Sequence, residues 1–264
     1  MTIGRILILG DVVGESGMRV LEEQLSNLAK SEDANLVVVN AENAADGFGL
    51  TTAIAERLWQ IGVSVITTGN HVWQRREILE YMKQNKRLLR PINYPGEPPG
   101  AGFCIVDFVG GLSAAVINVQ GRVRLSNVEC PFRTISKQLD ALPRDVKTII
   151  VDFHAEDTEE KEAMAQYLDS SVSVVVGTHT HVQTADARVT DRGTGCITDL
   201  GMTGPIHSVI GFDPEIATSR MVTQMPLKME VSGEPAAIRG VVVEVDVDSG
   251  RCLHIRSFDR TYLE

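Results

Sequence analysis

The sequence predicts an α/β fold, and three observations carry that expectation. Three apolar runs near the amino terminus, 5–9, 36–39 and 63–67, have the length and composition of buried strands. Each is followed, after a glycine-bearing loop, by a segment read as helix, with apolar residues recurring every three to four positions in the first two. The last third of the chain changes texture and reads mainly as strands. Strand–loop–helix units in succession fold as a parallel sheet with right-handed crossovers, so their carboxyl ends share one edge.

The first unit joins strand 5–9 to a helix over 16–30, whose apolar face is Met18, Leu21, Leu25 and Leu28. Between them Gly10-Asp11-Val12-Val13-Gly14 turns the chain, and it matches neither GxGxxG nor GK[ST]. The second unit joins 36–39 to a helix over 52–61 and encloses Glu42 and Asn43 in a glycine-rich loop. The third runs from 63–67 through Thr68-Gly69-Asn70-His71-Val72-Trp73 into a helix over 74–84. Prolines and glycines then crowd 91–102, a long loop that lines a pocket or joins layers. Segments 103–109 and 112–119 flank Gly110-Gly111 as a hairpin, and 132–142 reads as a short helix.

Strand 148–153 ends in His154-Ala155-Glu156, and an acidic helix around 158–168 follows it. The valine-rich strand 172–176 runs into Gly177-Thr178-His179-Thr180-His181. Histidines two apart can aim at one point only where the backbone is irregular, which Gly177 permits. Beyond them 188–190, 196–199, 241–247 and 252–258 read as strands, interrupted by the loop from Gly201 to Gly211 and a helix over 214–221. Nothing resembles a repeat or linker, so one domain over 1–264 is expected.

Composition narrows the function classes. The chain has 264 residues, 43% hydrophobic and 23% charged, ordinary values for a globular protein. A net charge of −10 argues against an extended nucleic-acid surface or an anionic-membrane footprint. Four scattered cysteines form no CxxC pair, so neither a disulfide framework nor a zinc knuckle is expected. No apolar run reaches membrane-spanning length, and the start lacks the pattern of a signal peptide. The expected place is the cytoplasm, with no membrane partner and no bar to a homo-oligomer.

Five strand ends thus present Asp11, Glu42 with Asn43, Asn70 with His71, His154, and His179 with His181. Mixed nitrogen and oxygen ligands suit first-row transition metals. Adjacent residues in a turn rarely bind the same ion, which sets His71 aside from Asn70; the seven ligand candidates left exceed the needs of one tetrahedral ion and suit two, the usual device for in-line displacement at phosphorus. His207 and His254 stand apart from this set and carry no role.

The motifs GDVVG, NAEN, TGNHVW, NVQGR, DFHAE, GTHTHVQTAD and DLGMTGP resemble the YmdB-like branch of the calcineurin-like metallophosphoesterases. They span Asp11 through Pro205. Against the wider superfamily pattern, Val13 replaces a histidine ligand and Glu42 a bridging aspartate, both as in that branch. The resemblance implies a β-sandwich flanked by α-helices. It implies one iron or manganese ion on Asp11, Glu42, Asn43 and His181, and a second on Glu42, Asn70, His154 and His179. Glu42 would bridge them, and His71 would be the catalytic proton donor. The implied activity is hydrolysis of cyclic nucleotides, 2′,3′-cyclic ones above all, by a hydroxide between the cations. A phosphomonoesterase with the same metals, or a regulatory metal-dependent binding protein, is the alternative. Arg122 and the loop from Gly201 to Gly211 are open as substrate contacts.

Overall fold

The computed structural model describes residues 2–233 and 235–263. Alternation in the strands decides its layers. In β1 (Ile3–Leu9), Ile6 and Ile8 face one way and Leu7 and Leu9 the other. The neighbouring β3 (Leu36–Asn40) divides Leu36 and Val38 from Val37 and Val39 in the same manner. Both faces are apolar, so both must be covered.

Leu7, Leu9, Val37 and Val39 pack with Met18, Leu21, Leu25 and Leu28 of α1 (Gly14–Ser31) and Leu58 of α2 (Thr52–Gln60). Ile6, Ile8, Leu36 and Val38 meet a second sheet, through Val116 of β6 (Ser113–Gln120), Ile150 of β7 (Thr148–His154) and Val174 and Val176 of β8 (Val174–Thr178). The outer face of this second sheet, with Ile117, Val151 and Val175, packs on Ile135 of α4 (Pro131–Ala141) and Met164 of α5 (Thr158–Tyr167). The result is a β-sandwich with helices on both sides, as the resemblance implies.

The expected single parallel edge is where the structure differs. Strands β1, β3 and β4 (Val65–Thr67) are parallel, but β1 pairs on its other side with β12 (Ala236–Asp246), antiparallel from Ile3↔Asp246 to Leu9↔Gly240. A long hairpin of β12 with β13 (Arg251–Tyr262) completes the same sheet. In the other sheet β6, β7, β8 and β10 (Gly195–Ile197) are parallel, with β5 (Phe103–Asp107) and β9 (Arg188–Val189) antiparallel at its edges. The strand ends that bear the candidate ligands therefore come from two facing sheets.

Two further segments differ. The helix expected from Gln74 starts only at Ile78, as α3 (Ile78–Gln84), and the chain before it winds through turns closed by Val72 N–H to Gly69, Gln74 N–H to His71 and Ile78 N–H to Arg75. The stretch read as a loop from Gly201 to Gly211 begins with a strand, β11 (Met202–Pro205), which pairs with β2 (Asp11–Val12) and β12. It leads on to α6 (Pro214–Thr223). Among the described residues no helix is long and apolar enough to cross a membrane.

Candidate metal centre

Each ligand-type residue reaches the sandwich edge for a local reason. β1 ends at Gly10, whose bare Cα lies against the Gly201 carbonyl, and Asp11 follows it into a fully buried position. Glu42 and Asn43 leave β3, with Glu42 fully buried as well. Gly69, past β4, has no side chain because a Cβ there would collide with the His154 ring and Glu42 Oε2. That vacancy lets the His71 N–H donate to Glu42 Oε2 at 3.0 Å.

The histidine loop corrects the role given to Gly177. That glycine lies inside β8, where a Cβ would strike the Thr198 carbonyl, and it serves close packing. The irregular backbone belongs to His179 and His181 themselves, at φ 106° and 66°. The Thr180 N–H and Oγ1 both bond to Asp199 Oδ2, at 3.1 and 2.8 Å, and Lys161 Nζ meets the same oxygen at 2.7 Å. A buried ion pair thus clamps the residue between the two histidines.

Glu42, His154 and His179 offer ligand atoms that all lie within 4.8 Å of one another. Around His154 Nε2 stand Asn70 Oδ1 at 2.9 Å, Glu42 Oε1 at 3.0 Å and His179 Nδ1 at 3.0 Å. Beside them His181 Nε2 is 4.0 Å from Asp11 Oδ1 and 3.0 Å from Asn43 Nδ2. Asp11 Oδ1 is buried with no hydrogen-bond partner among the described residues. Asn43 turns its Oδ1 to His71 Nδ1 at 2.8 Å, so its amide nitrogen faces His181 and Glu42. An amide oxygen at the cluster corresponds to the opposite setting of that side chain.

Outer partners fix which nitrogen each histidine turns inward. Asp152, buried between the sheets, accepts from Thr67 Oγ1, from Asn40 Nδ2 at 3.1 Å and from Thr178 Oγ1 at 2.7 Å. With its proton committed to Asp152, Thr178 accepts from His154 Nδ1 at 2.9 Å. His179 Nε2 meets Glu156 Oε2 at 3.1 Å, and His181 Nδ1 donates to the Ile210 carbonyl at 2.8 Å. Each ring spends its proton outward and keeps a lone pair inward, the arrangement that orients metal-binding imidazoles.

Inward lone pairs and carboxylates together make an excess of acceptors, which only cations relieve. Without a metal, protons do so. Burial opposes the Glu42 charge, but His154 holds its carboxyl down to about 2. Burial likewise opposes charge on His154, and Glu42 holds it up to about 9. Burial lifts Asp11 to about 6, while burial and His154 depress His179 to about 3. The donor set of carboxylates, imidazoles and amides fits a transition metal, and the structure supplies a group able to hold one.

A cavity of about 270 Å³ opens over this cluster, bordered by His71, Glu156, His179, His181, Phe48 and Ile210. His71 is lowered from its usual pKa by burial, with Glu42 opposing. Ile210 brings the stretch from Gly201 to Gly211 to the cavity, whereas Arg122 is exposed and its backbone N–H is held by Glu160. His207 and His254 are exposed and outside the cluster. Sequence reasoning passed over Asp152, Thr178 and Glu156. An aspartate inside an otherwise apolar strand, two residues before a ligand-type histidine, was the signal for the first.

Two facing sheets with helices outside, and acid, amide and imidazole groups gathered at one edge, make this a calcineurin-like metallophosphoesterase fold. The chain belongs to the YmdB-like protein family, whose model matches residues 7–258. It is 40% identical over 251 residues to a 2′,3′-cyclic-nucleotide 2′-phosphodiesterase of Bacillus subtilis strain 168, covering 95% of each chain. The fold of a phosphatase from Mycoplasma pneumoniae superposes with a TM-score of 0.93 at 35% identity, over 99% of this chain and 94% of that one. A hypothetical protein from Thermus thermophilus gives a TM-score of 0.91 at 35% identity, over 97% and 99%.

Proposed function

We propose that the chain is a metal-dependent phosphodiesterase that hydrolyses 2′,3′-cyclic nucleotides, working as one domain in the cytoplasm. The activity named for the Bacillus subtilis relative supports this. The observation that carries it is the convergence of Asn70, Glu42 and His179 on His154 Nε2 beneath the cavity. In this reading Glu42, Asn70, His154 and His179 hold one iron or manganese ion. Asp11, Asn43 and His181 hold a second, with Glu42 shared.

Two such ions supply an acidified water and neutralise phosphoryl oxygens. The chain's own groups do the rest. Asp11 and Glu42 set the negative charge that retains the cations, and the buried edge excludes bulk water from them. The phosphodiester lies in the cavity beside His71. With its oxygen turned to the second ion, Asn43 presents Nδ2 to His71 Nδ1, which accepts, so Nε2 is the atom left to carry a proton to the substrate. As water oxygen bonds to phosphorus and the bond to the ribose oxygen breaks, His71 passes its proton to the leaving alkoxide. The substrate's negative charge works against burial to keep that proton in place.

The test is His71→Ala with two kinds of diester. Metal content is expected to stay, and kcat on 2′,3′-cyclic AMP to fall by about 10²-fold or more. A p-nitrophenyl diester, whose leaving group needs no proton, is expected to lose far less. Loss of metal, or equal slowing of both substrates, refutes the proton-donor role. Faster turnover of 3′-AMP than of any cyclic diester favours a phosphomonoesterase.

A further inference from the structure

One wall of the cavity is aromatic and has no part in holding a metal. Phe48 sets its ring edge-on to His71 at 5.1 Å between centroids, and stacks on Phe212 at 5.4 Å with 26° between planes. Phe212 is buried and Phe48 half-buried. The loop presenting Phe48 is tied down: Arg75 Nε donates to the Phe48 carbonyl at 3.1 Å and Nη2 to the Ala45 carbonyl at 2.9 Å. The Phe48 N–H in turn bonds to the Ala45 carbonyl at 3.0 Å, between Gly47 and Gly49 at φ 84° and 83°. A ring fixed in this way binds without an ordering cost.

Two concavities meet at Phe48. One is the 270 Å³ cavity over the cluster, and the other is an open groove of about 860 Å³. Arg19, Arg75 and Lys228 border the groove together with Glu15, Asp46 and Glu230. Its charges balance, so it has no net pull on a run of phosphates. What it offers is width and an aromatic ring at its junction with the cavity.

We propose that Phe48 is the platform on which the substrate's nucleobase stacks, and so the residue that separates nucleotides from simple phosphodiesters. This rests on the phosphodiesterase reading above. With the cyclic phosphate beside His71, ribose and base extend outward past Phe48, whose ring adjoins His71. The far side of the base then faces the groove, where no wall closes on it. Stacking accepts every base, because each has a π-face, and is worth about 5- to 150-fold in affinity. Purine and pyrimidine nucleotides are therefore accepted alike, and a nucleotide extended at its 5′ side is accommodated.

The test compares kcat/KM for 2′,3′-cyclic AMP, 2′,3′-cyclic CMP and glycerol 1,2-cyclic phosphate, the last having the same five-membered diester and no base. Manganese-loaded wild type, Phe48→Leu and Phe48→Tyr are used, with metal content and melting temperature measured for each. Leucine keeps apolar bulk without a π-face, whereas tyrosine keeps the face. Wild type is expected to prefer both nucleotides, chiefly through KM. Phe48→Leu is expected to cut the nucleotide-to-glycerol ratio about fivefold or more, and Phe48→Tyr to preserve it. A wild type without preference, or a ratio unmoved in Phe48→Leu, overturns the platform and leaves the phosphodiesterase reading intact. Hydrolysis of none of the three diesters overturns both.

Discussion

Replacing Thr178 by valine removes one hydroxyl and keeps the shape of the side chain, so it isolates what the hydroxyl does for the candidate metal centre. In the structure that oxygen accepts from His154 Nδ1 at 2.9 Å and donates to Asp152 Oδ1 at 2.7 Å. Asp152 keeps Asn40 and Thr67 as donors, so its loss is partial. His154 Nδ1 loses its partner in a fully buried ring, which costs about 1–3 kcal/mol. The neutral ring then has no reason to hold its proton outward, and the proton that moves to Nε2 occupies the lone pair a metal needs. Loss of an outer partner of this kind typically costs about 10–100-fold in metal affinity. Competition with a chelator under manganese titration measures the affinity, and calorimetry measures the melting temperature. Thr178→Ser, which restores the hydroxyl, is expected to recover both. An unchanged manganese affinity in Thr178→Val, or failure of serine to rescue it, refutes the argument that this hydroxyl sets the tautomer.

The remaining predictions concern the same edge. Gly69→Ala needs no left-handed backbone, so its Cβ acts only by pressing on His154 and Glu42; metal content is expected to fall sharply, and stability by about 1–3 kcal/mol. A fully loaded, normally stable Gly69→Ala protein would show that the contact is not limiting. Metal-free protein is expected to lose stability as pH rises from 6.5 through 9. The favourable charge on His154, raised from 6.5 to about 9, is complete below 6.5 and lost across that window, whereas Asp11, raised from 3.8 to about 6, loses its contribution lower, as pH rises from 3.8 through 6. The Glu42 contribution runs the other way, complete above 4.5 and lost as pH falls through 2. A melting temperature that climbs between pH 6.5 and 9 contradicts this balance. Manganese binding at pH 7 is expected to release the His154 proton, read as a dependence of binding heat on buffer ionisation enthalpy. Glu42→Gln is expected to abolish binding of both ions, and Asp11→Ala mainly to weaken one; equal small losses in elemental analysis would mean that Glu42 is not shared.

Much of the molecule was legible because short-range pattern reports burial. Continuous apolar runs in β1 and β3 announced strands covered on both faces, and their ends announced Asp11, Glu42 and Asn43. The misplaced start of α3 has a local cause of a different kind. Residues 74–77 could have opened the helix, but turns there place Arg75 against the Phe48 loop. Propensity yields there to long-range contacts. The strand β11 escaped notice for a related reason: Met202-Thr203-Gly204-Pro205 has little strand character of its own and pairs because β2 and β12 flank it.

By itself the sequence determined the α/β class, the ligand-type residues and the strand ends that bear them, since period and residue chemistry are local properties. Only the tertiary structure decided that those ends belong to two sheets. The reason is that β12 pairs with β1 from the opposite end of the chain, and inward-facing Ile6, Ile8, Val174 and Val176 bury surface across the sandwich. The tertiary structure alone also decided which histidine nitrogen faces inward. Asp152, Glu156 and the Ile210 carbonyl exert that choice through hydrogen bonds, and such bonds exist only once the sheets have met.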